Sequence, residues 1–137
     1  MTEYPQLLHT ALDTTDARAL AEFYRELLGL RYRPGDEPPA DGSADDADWL
    51  VLVDANGNRK LAFQHVEQLE PTTWPEHDVP MQLHLDCTVS TFEELQRQRQ
   101  RAEALGARVL LDRTTDEDEP LYVFADLSGH PFCIFVG

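Results

Sequence analysis

Two histidines stand at matching points of this sequence. His9 lies in LLHTALD (7–13) and His84 in LHLDC (83–87), each inside a short apolar run. Each run is followed by helix-capping residues, an amphipathic stretch and a stop at Leu-Gly, residues 28–29 and 105–106. A neutral imidazole is a ligand for divalent transition metals, and it carries protons near neutral pH. Asp86 follows His84 by two residues, so in a strand the two share a face, and Asp86 is the nearby carboxylate available as a base. Cys87 and Cys133 have no CxxC or zinc-finger spacing. In an apolar strand, a free cysteine such as Cys133 is by default a small buried hydrophobe.

Positioning these groups requires strands and helices, and the same order of elements is spelled twice. In the first copy an apolar run at 6–12 reads as a strand. Asp13-Thr14-Thr15-Asp16 then supplies N-cap chemistry, and Ala17, Leu20, Tyr24, Leu27 and Leu28 recur at helical spacing. In the second copy residues 81–88 read as the strand, and Ser90 and Glu93 have the form of a capping box. Phe92, Leu95, Ala102 and Leu105 give that helix its apolar stripe. Gly29 and Gly106 terminate the helices, since glycine accepts a left-handed C-terminal conformation.

Three strands are predicted after each helix, near 30–33, 49–54 and 60–66 in the first copy and 107–111, 121–126 and 132–136 in the second. Asp54-Ala55-Asn56-Gly57-Asn58 and Asp126-Leu127-Ser128-Gly129-His130 are hairpin turns in equivalent places. The unit is βαβββ, and it gives an α+β fold in one domain over 1–137: module one at about 6–66, a Pro-bearing connector at 67–80 and module two at about 81–136. A four-stranded sheet with one helix leaves its other face bare. Two units are therefore expected to join into a curved eight-stranded cup with the helices outside and a small-molecule pocket inside.

Strand alternation points the histidines into that space. Leu83, Leu85, Cys87 and Val89 form an apolar set for the helix side, leaving His84 and Asp86 opposite; Leu8 and Leu12 likewise oppose His9 and Ala11. Tyr24, Phe63, Trp49 and Phe135 are aromatics whose default place is the core. His65, His77 and His130 read as strand-end or loop residues, and Arg97, Arg99 and Arg101 as the solvent side of the second helix.

Composition narrows the partners. The chain has 137 residues, with 11 Lys+Arg against 26 Asp+Glu, a net charge of −15. Nucleic-acid binding depends on cations that neutralise phosphates, so a nucleic-acid partner is disfavoured. The acidity concentrates in DEPPADGSADDAD (36–48) and DEDE (116–119), which read as solvated loops. No apolar run approaches the roughly 18 residues of a membrane span, and no signal-peptide pattern opens the chain. The expectation is a soluble cytoplasmic protein with two reduced cysteines and no membrane partner.

His9 with Asp16, Phe23-Tyr24 and Leu28-Gly29, then His84, then the closing Asp126-x-x-Gly129-x-x-x-Cys133 together resemble the vicinal oxygen chelate superfamily. That superfamily includes glyoxalase I, bleomycin-resistance proteins and extradiol dioxygenases; LAFQ (61–64) and LHLD (83–86) are similar to its glyoxalase-like bacterial subgroup. The resemblance spans about residues 6–136. It implies two metal ligands per module, from the first and last strands, which carry over to His9 and Gln64 and to His84 and Cys133. Aligning the two hairpins on Gly57 and Gly129 makes His65 the alternative to Gln64.

It also implies chemistry. Isomerases of the family need a carboxylate base beside the metal, and neither Gln64 nor Cys133 is one, which argues against true glyoxalase I activity. Ring-cleaving dioxygenases use two histidines and a carboxylate around Fe(II), a set that requires Asp86. Two histidines with a cysteine and a glutamine suit Zn²⁺. The implied cofactor is a divalent metal, zinc, iron or nickel, with no nucleotide cofactor, and Asp86 and Cys133 as catalytic groups. A metal-free alternative is sequestration of a cationic or aromatic antibiotic, as in bleomycin resistance. A homodimer is also implied.

Overall fold

The computed structural model describes residues 3–137. The chain divides into two compact units, residues 1–69 and 70–137. The first contains β1 (Thr10–Thr14), α1 (Ala17–Leu28), β2 (Arg31–Tyr32), β3 (Trp49–Val53) and β4 (Arg59–His65). The second contains β5 (Leu85–Val89), α2 (Phe92–Ala104), β6 (Arg108–Arg113), β7 (Leu121–Ala125) and β8 (Pro131–Val136). Each unit is one mixed four-stranded sheet with one helix, ordered β1-β4-β3-β2 and β5-β8-β7-β6. In both, the first strand runs parallel to the last, and the other pairs are antiparallel. The α+β fold of two βαβββ modules is therefore the observed one.

The repeat extends to single hydrogen bonds. In the first hairpin turn the Asp54 N–H donates to Asn58 O, Gly57 N–H to Asp54 O, and Asn56 and Asn58 N–H to Asp54 Oδ1. In the second turn Asp126, Gly129, Ser128 and His130 repeat the pattern, with bonds of 2.9–3.0 Å. Gly57 and Gly129 hold φ of 82° and 88°, the left-handed region that a side chain disfavours.

In the first unit α1 packs Leu20, Tyr24 and Leu27 onto the sheet, with Tyr24 stacked on Phe63 of β4 at 6.0 Å. Asp16 caps the helix by accepting from Ala19 N–H at 3.0 Å, and Gly29, at φ 67°, closes it. In the second unit α2 fully buries only Leu95 and Ala102. Its contact with the sheet is partly polar: Arg99 lies 4.8 Å over the Tyr122 ring and donates to the tyrosine hydroxyl at 3.0 Å. Arg99 is thus held against the sheet, not simply laid along the solvent side as expected from the sequence.

Two expectations about element ends are corrected. The first strands begin later than residues 6 and 81, at Thr10 and Leu85; Leu7 precedes β1 and is 95% exposed. The cap of α2 is Thr91 rather than Ser90: strand pairing continues through Val89, and Thr91 has the extended backbone of a cap. Its hydroxyl accepts from Glu94 N–H at 3.1 Å, while the Glu94 carboxylate turns to Arg97 and Gln98 instead of closing a capping box. Among the described residues, no helix is long and apolar enough to cross a membrane.

Candidate functional site

The second unit brings three sequence-selected residues together. β5 and β8 are parallel neighbours in a register that sets Asp86 opposite Cys133. Residues opposite one another in a sheet share a face, so the carboxylate and the thiol stand side by side, and His84 joins them from the residue before β5. The alternate residues Leu85 and Cys87 pair with buried Phe132 and Ile134, which fixes the other face as the apolar one. One donor atom from each of His84, Asp86 and Cys133 lies within 4.8 Å of the others. His84 Nε2 is 3.2 Å from Asp86 Oδ1, and both side chains are open to solvent, 39% and 57% exposed.

Electrostatics define what this group does unaided. The Cys133 thiol is pushed up to about 11, first by burial and then by the charge and hydrogen bond of Asp86. Burial and Asp86 also raise Cys87. Neither sulfur is therefore an activated nucleophile at neutral pH, since the thiolate is the reacting species. A nitrogen, a carboxylate oxygen and a sulfur on an exposed sheet face do suit a divalent cation. Bonds of about 2.0–2.3 Å at tetrahedral angles put ligand atoms roughly 3.3–3.8 Å apart, so the three donors would close up on binding.

In the first unit His9 packs against Trp49, with ring centroids 5.8 Å apart. Its Nδ1 is buried without a hydrogen-bond partner among the described residues. Burial, followed by the charges of Arg59 and Arg33, lowers its pKa, which keeps the imidazole neutral and able to accept a proton or a ligand. The register decides between Gln64 and His65. Phe63 stacks on α1, so its neighbour Gln64 faces away from the helix, on the face of Trp49 opposite it, and His65 lies on the helix side.

The reason lies in a bulge. Leu52 pairs with Leu61 but Val53 pairs with Arg59, so Lys60 is one residue too many in β4. β8 has no such insertion against β7. Counting from Gly57 and Gly129 therefore misaligns the copies by one, and the first-unit equivalent of Cys133 is Ala62. Of the four aromatics expected in the core, Tyr24 and Phe63 are buried there, whereas Trp49 and Phe135 are half-buried on the faces away from the helices.

The first unit also has a cleft of about 450 Å³ beside the start of α1, lined by residues 15–18, 45–48 and His65. Across it Arg18 Nε donates to Asp45 Oδ2 at 2.6 Å. This hydrogen bond is the largest influence holding the Asp45 carboxyl below its ordinary range.

Two mixed sheets of order first-last-third-second, each with a helix on one face, are the architecture of the vicinal oxygen chelate superfamily. Residues 9–135 match the glyoxalase-like domain, and the chain belongs to that family. Similar solved structures include a glyoxalase/bleomycin resistance protein/dioxygenase family enzyme from Burkholderia phytofirmans PsJN, 17% identical, covering 94% of this chain and 96% of that one, at TM-score 0.68. A mutant of the fosfomycin resistance protein FosX from Listeria monocytogenes, complexed with Mn(II) and 1S,2S-dihydroxypropylphosphonic acid, is 18% identical. It covers 100% of this chain and 94% of that one, at TM-score 0.69. A hypothetical protein, SA1046 from S. aureus, is 20% identical, covers 96% and 97%, and has TM-score 0.65. No curated protein matches the chain.

Proposed function

We propose that this protein is a divalent-metal-dependent enzyme acting on a small oxygen-bearing substrate, with His84, Asp86 and Cys133 as the residues that hold the metal. The observation that carries this reading is the convergence of their three donor atoms on one solvent-open sheet face. A metal bound there would polarise a substrate oxygen. The residues divide the remaining work: His84 supplies a neutral nitrogen, Cys133 a sulfur that is protonated until it is engaged, and Asp86 either a third ligand or the base that accepts a substrate proton. The bound Mn(II) of the FosX relative supports a divalent ion as the cofactor class. The ligand set drawn from the resemblance also includes His9 and Gln64, and the small molecule bound by the FosX relative supports a small molecule as the partner.

The test is metal content after purification without chelator and dialysis against Zn²⁺, Mn²⁺, Fe²⁺ or Ni²⁺. About one ion per chain is expected in the parent, and loss in His84→Ala and Cys133→Ala. Metal content of His9→Ala and Gln64→Ala measures their share. No uptake of any of the four ions refutes the reading.

One observation favours a second reading, metal-free binding of a cationic drug: the cleft of the first unit is lined by Asp16, Asp45, Asp46 and Asp48. Titration with cationic glycopeptides and aromatic drugs, followed by Trp49 and Trp74 fluorescence, tests it, and no response across the panel refutes it.

A further inference from the structure

The bulge that shifts β4 also re-aims a cation. Val53 lies with Val51 and Ala62 in an apolar cluster against which Trp49 packs. Arg59 pairs with Val53 in β4, and Arg31 pairs with the same valine from β2, so both arginines stand on this face. Two residues before Leu61, Arg59 would by uninterrupted alternation share the helix side with Leu61 and Phe63; the bulge at Lys60 keeps it on the opposite face, where the second unit has Pro131. Tyr32, between Arg31 and Arg33, donates to Glu22 of α1 at 2.9 Å, which leaves Arg33 on the same outer face as Arg31. Three guanidinium groups thus share one face of a chain that carries 26 acidic residues against 11 basic ones.

Their partners differ. Arg33 is paired with Asp36 at 3.1 Å. Among the described residues Arg31 donates to backbone carbonyls alone, those of Asp54 and Ala55. Arg59 is half-buried, its guanidinium makes no hydrogen bond or ion pair among the described residues, and its charge is felt at His9. A partly desolvated guanidinium without a counter-ion is unfavourable, and it is rare where carboxylates are in such excess. On the same face the Trp49 and His9 rings pack 5.8 Å apart at a tilt of 51°, so the Trp49 indole offers one aromatic wall.

We infer that this face of the first sheet binds a small organic anion, a carboxylate or phosphonate on a planar apolar body, with Arg59 as the counter-ion and Trp49 as the stacking surface. A guanidinium fork matches the two oxygens of such a head group. The inference does not depend on the metal reading, and the experiment separates the two.

In a Trp74→Phe background, which leaves Trp49 as the reporter, fluorescence is titrated with benzoate, phenylphosphonate, inorganic phosphate and benzylamine, at low ionic strength with EDTA present. Saturable changes are expected with benzoate and phenylphosphonate, and none with benzylamine. Loss of a charge-assisted hydrogen bond should weaken benzoate by roughly tenfold or more in Arg59→Gln. Arg108→Gln, an exposed arginine of the second unit, should bind as the parent does. Unchanged affinity in Arg59→Gln, benzylamine binding equal to benzoate, binding of inorganic phosphate alone, or no response to any anion overturns the inference. If Arg59→Gln does not fold, added NaCl decides in the unsubstituted background: affinity for benzoate must fall with salt, and salt-independent binding overturns the inference.

Discussion

The thiol of Cys133 offers a quantitative check on the candidate site. Burial and the neighbouring Asp86 raise it from an ordinary 9.0 to about 11. Below pH 9, two units of pKa leave about a hundredfold less thiolate than an ordinary cysteine has. A more basic thiolate is also more nucleophilic, and a Brønsted slope of about 0.4–0.5 returns roughly six- to tenfold of that loss. The net expectation is alkylation about tenfold slower than a free thiol at neutral pH, with the rate rising tenfold per pH unit until it levels near 11. Cys87→Ala isolates Cys133, since the chain has only two cysteines, and disulfide exchange with a chromogenic reagent gives the rate. Asp86→Asn removes the neighbouring charge and should lower the thiol pKa, so the reaction accelerates at fixed pH. Saturating Zn²⁺ should protect Cys133 in the parent and lose that effect in His84→Ala. A Cys133 that reacts as fast as N-acetylcysteine, or that slows in Asp86→Asn, would contradict the placement of carboxylate beside thiol.

Two further outcomes test the architecture by denaturant unfolding. Thr91→Ala should destabilise the protein by about 1 kcal/mol through loss of the α2 cap, and Ser90→Ala should stay within about 0.5 kcal/mol; the reverse order would restore Ser90 as the cap. Asp126, 5% exposed, accepts two turn N–H groups, so Asp126→Ala should cost about 1–3 kcal/mol. Asp54→Ala should cost less, because water replaces the carboxylate in its exposed turn; equal costs would show that burial does not set the difference.

Much of the fold was legible because the determinants are local. Capping groups, the 3.6-residue stripe of α1, the Asp-x-x-Gly turns and the two-residue alternation around His84 are each readable within a few positions. Alternation alone put His84 and Asp86 on one face, and the register with β8 then brought Cys133 to them. What escaped the sequence depends on pairing between strands. The α2 cap moved by one residue because β5 continued to pair through Val89. The choice between Gln64 and His65 stayed open because a bulge at Lys60 is defined only against β3. Arg59 went unnoticed for the same reason: by simple alternation it belongs on the helix side.

That single extra position also bears on how such a protein changes over time. The bulge takes up the added residue before Leu61, so every later side chain in β4 keeps the face that its counterpart has in β8. A doubled gene can thus lengthen one half by a residue without turning its strand inside out, while the other half keeps its original spacing. Divergence between the halves then proceeds by absorbed insertions as well as by gradual substitution.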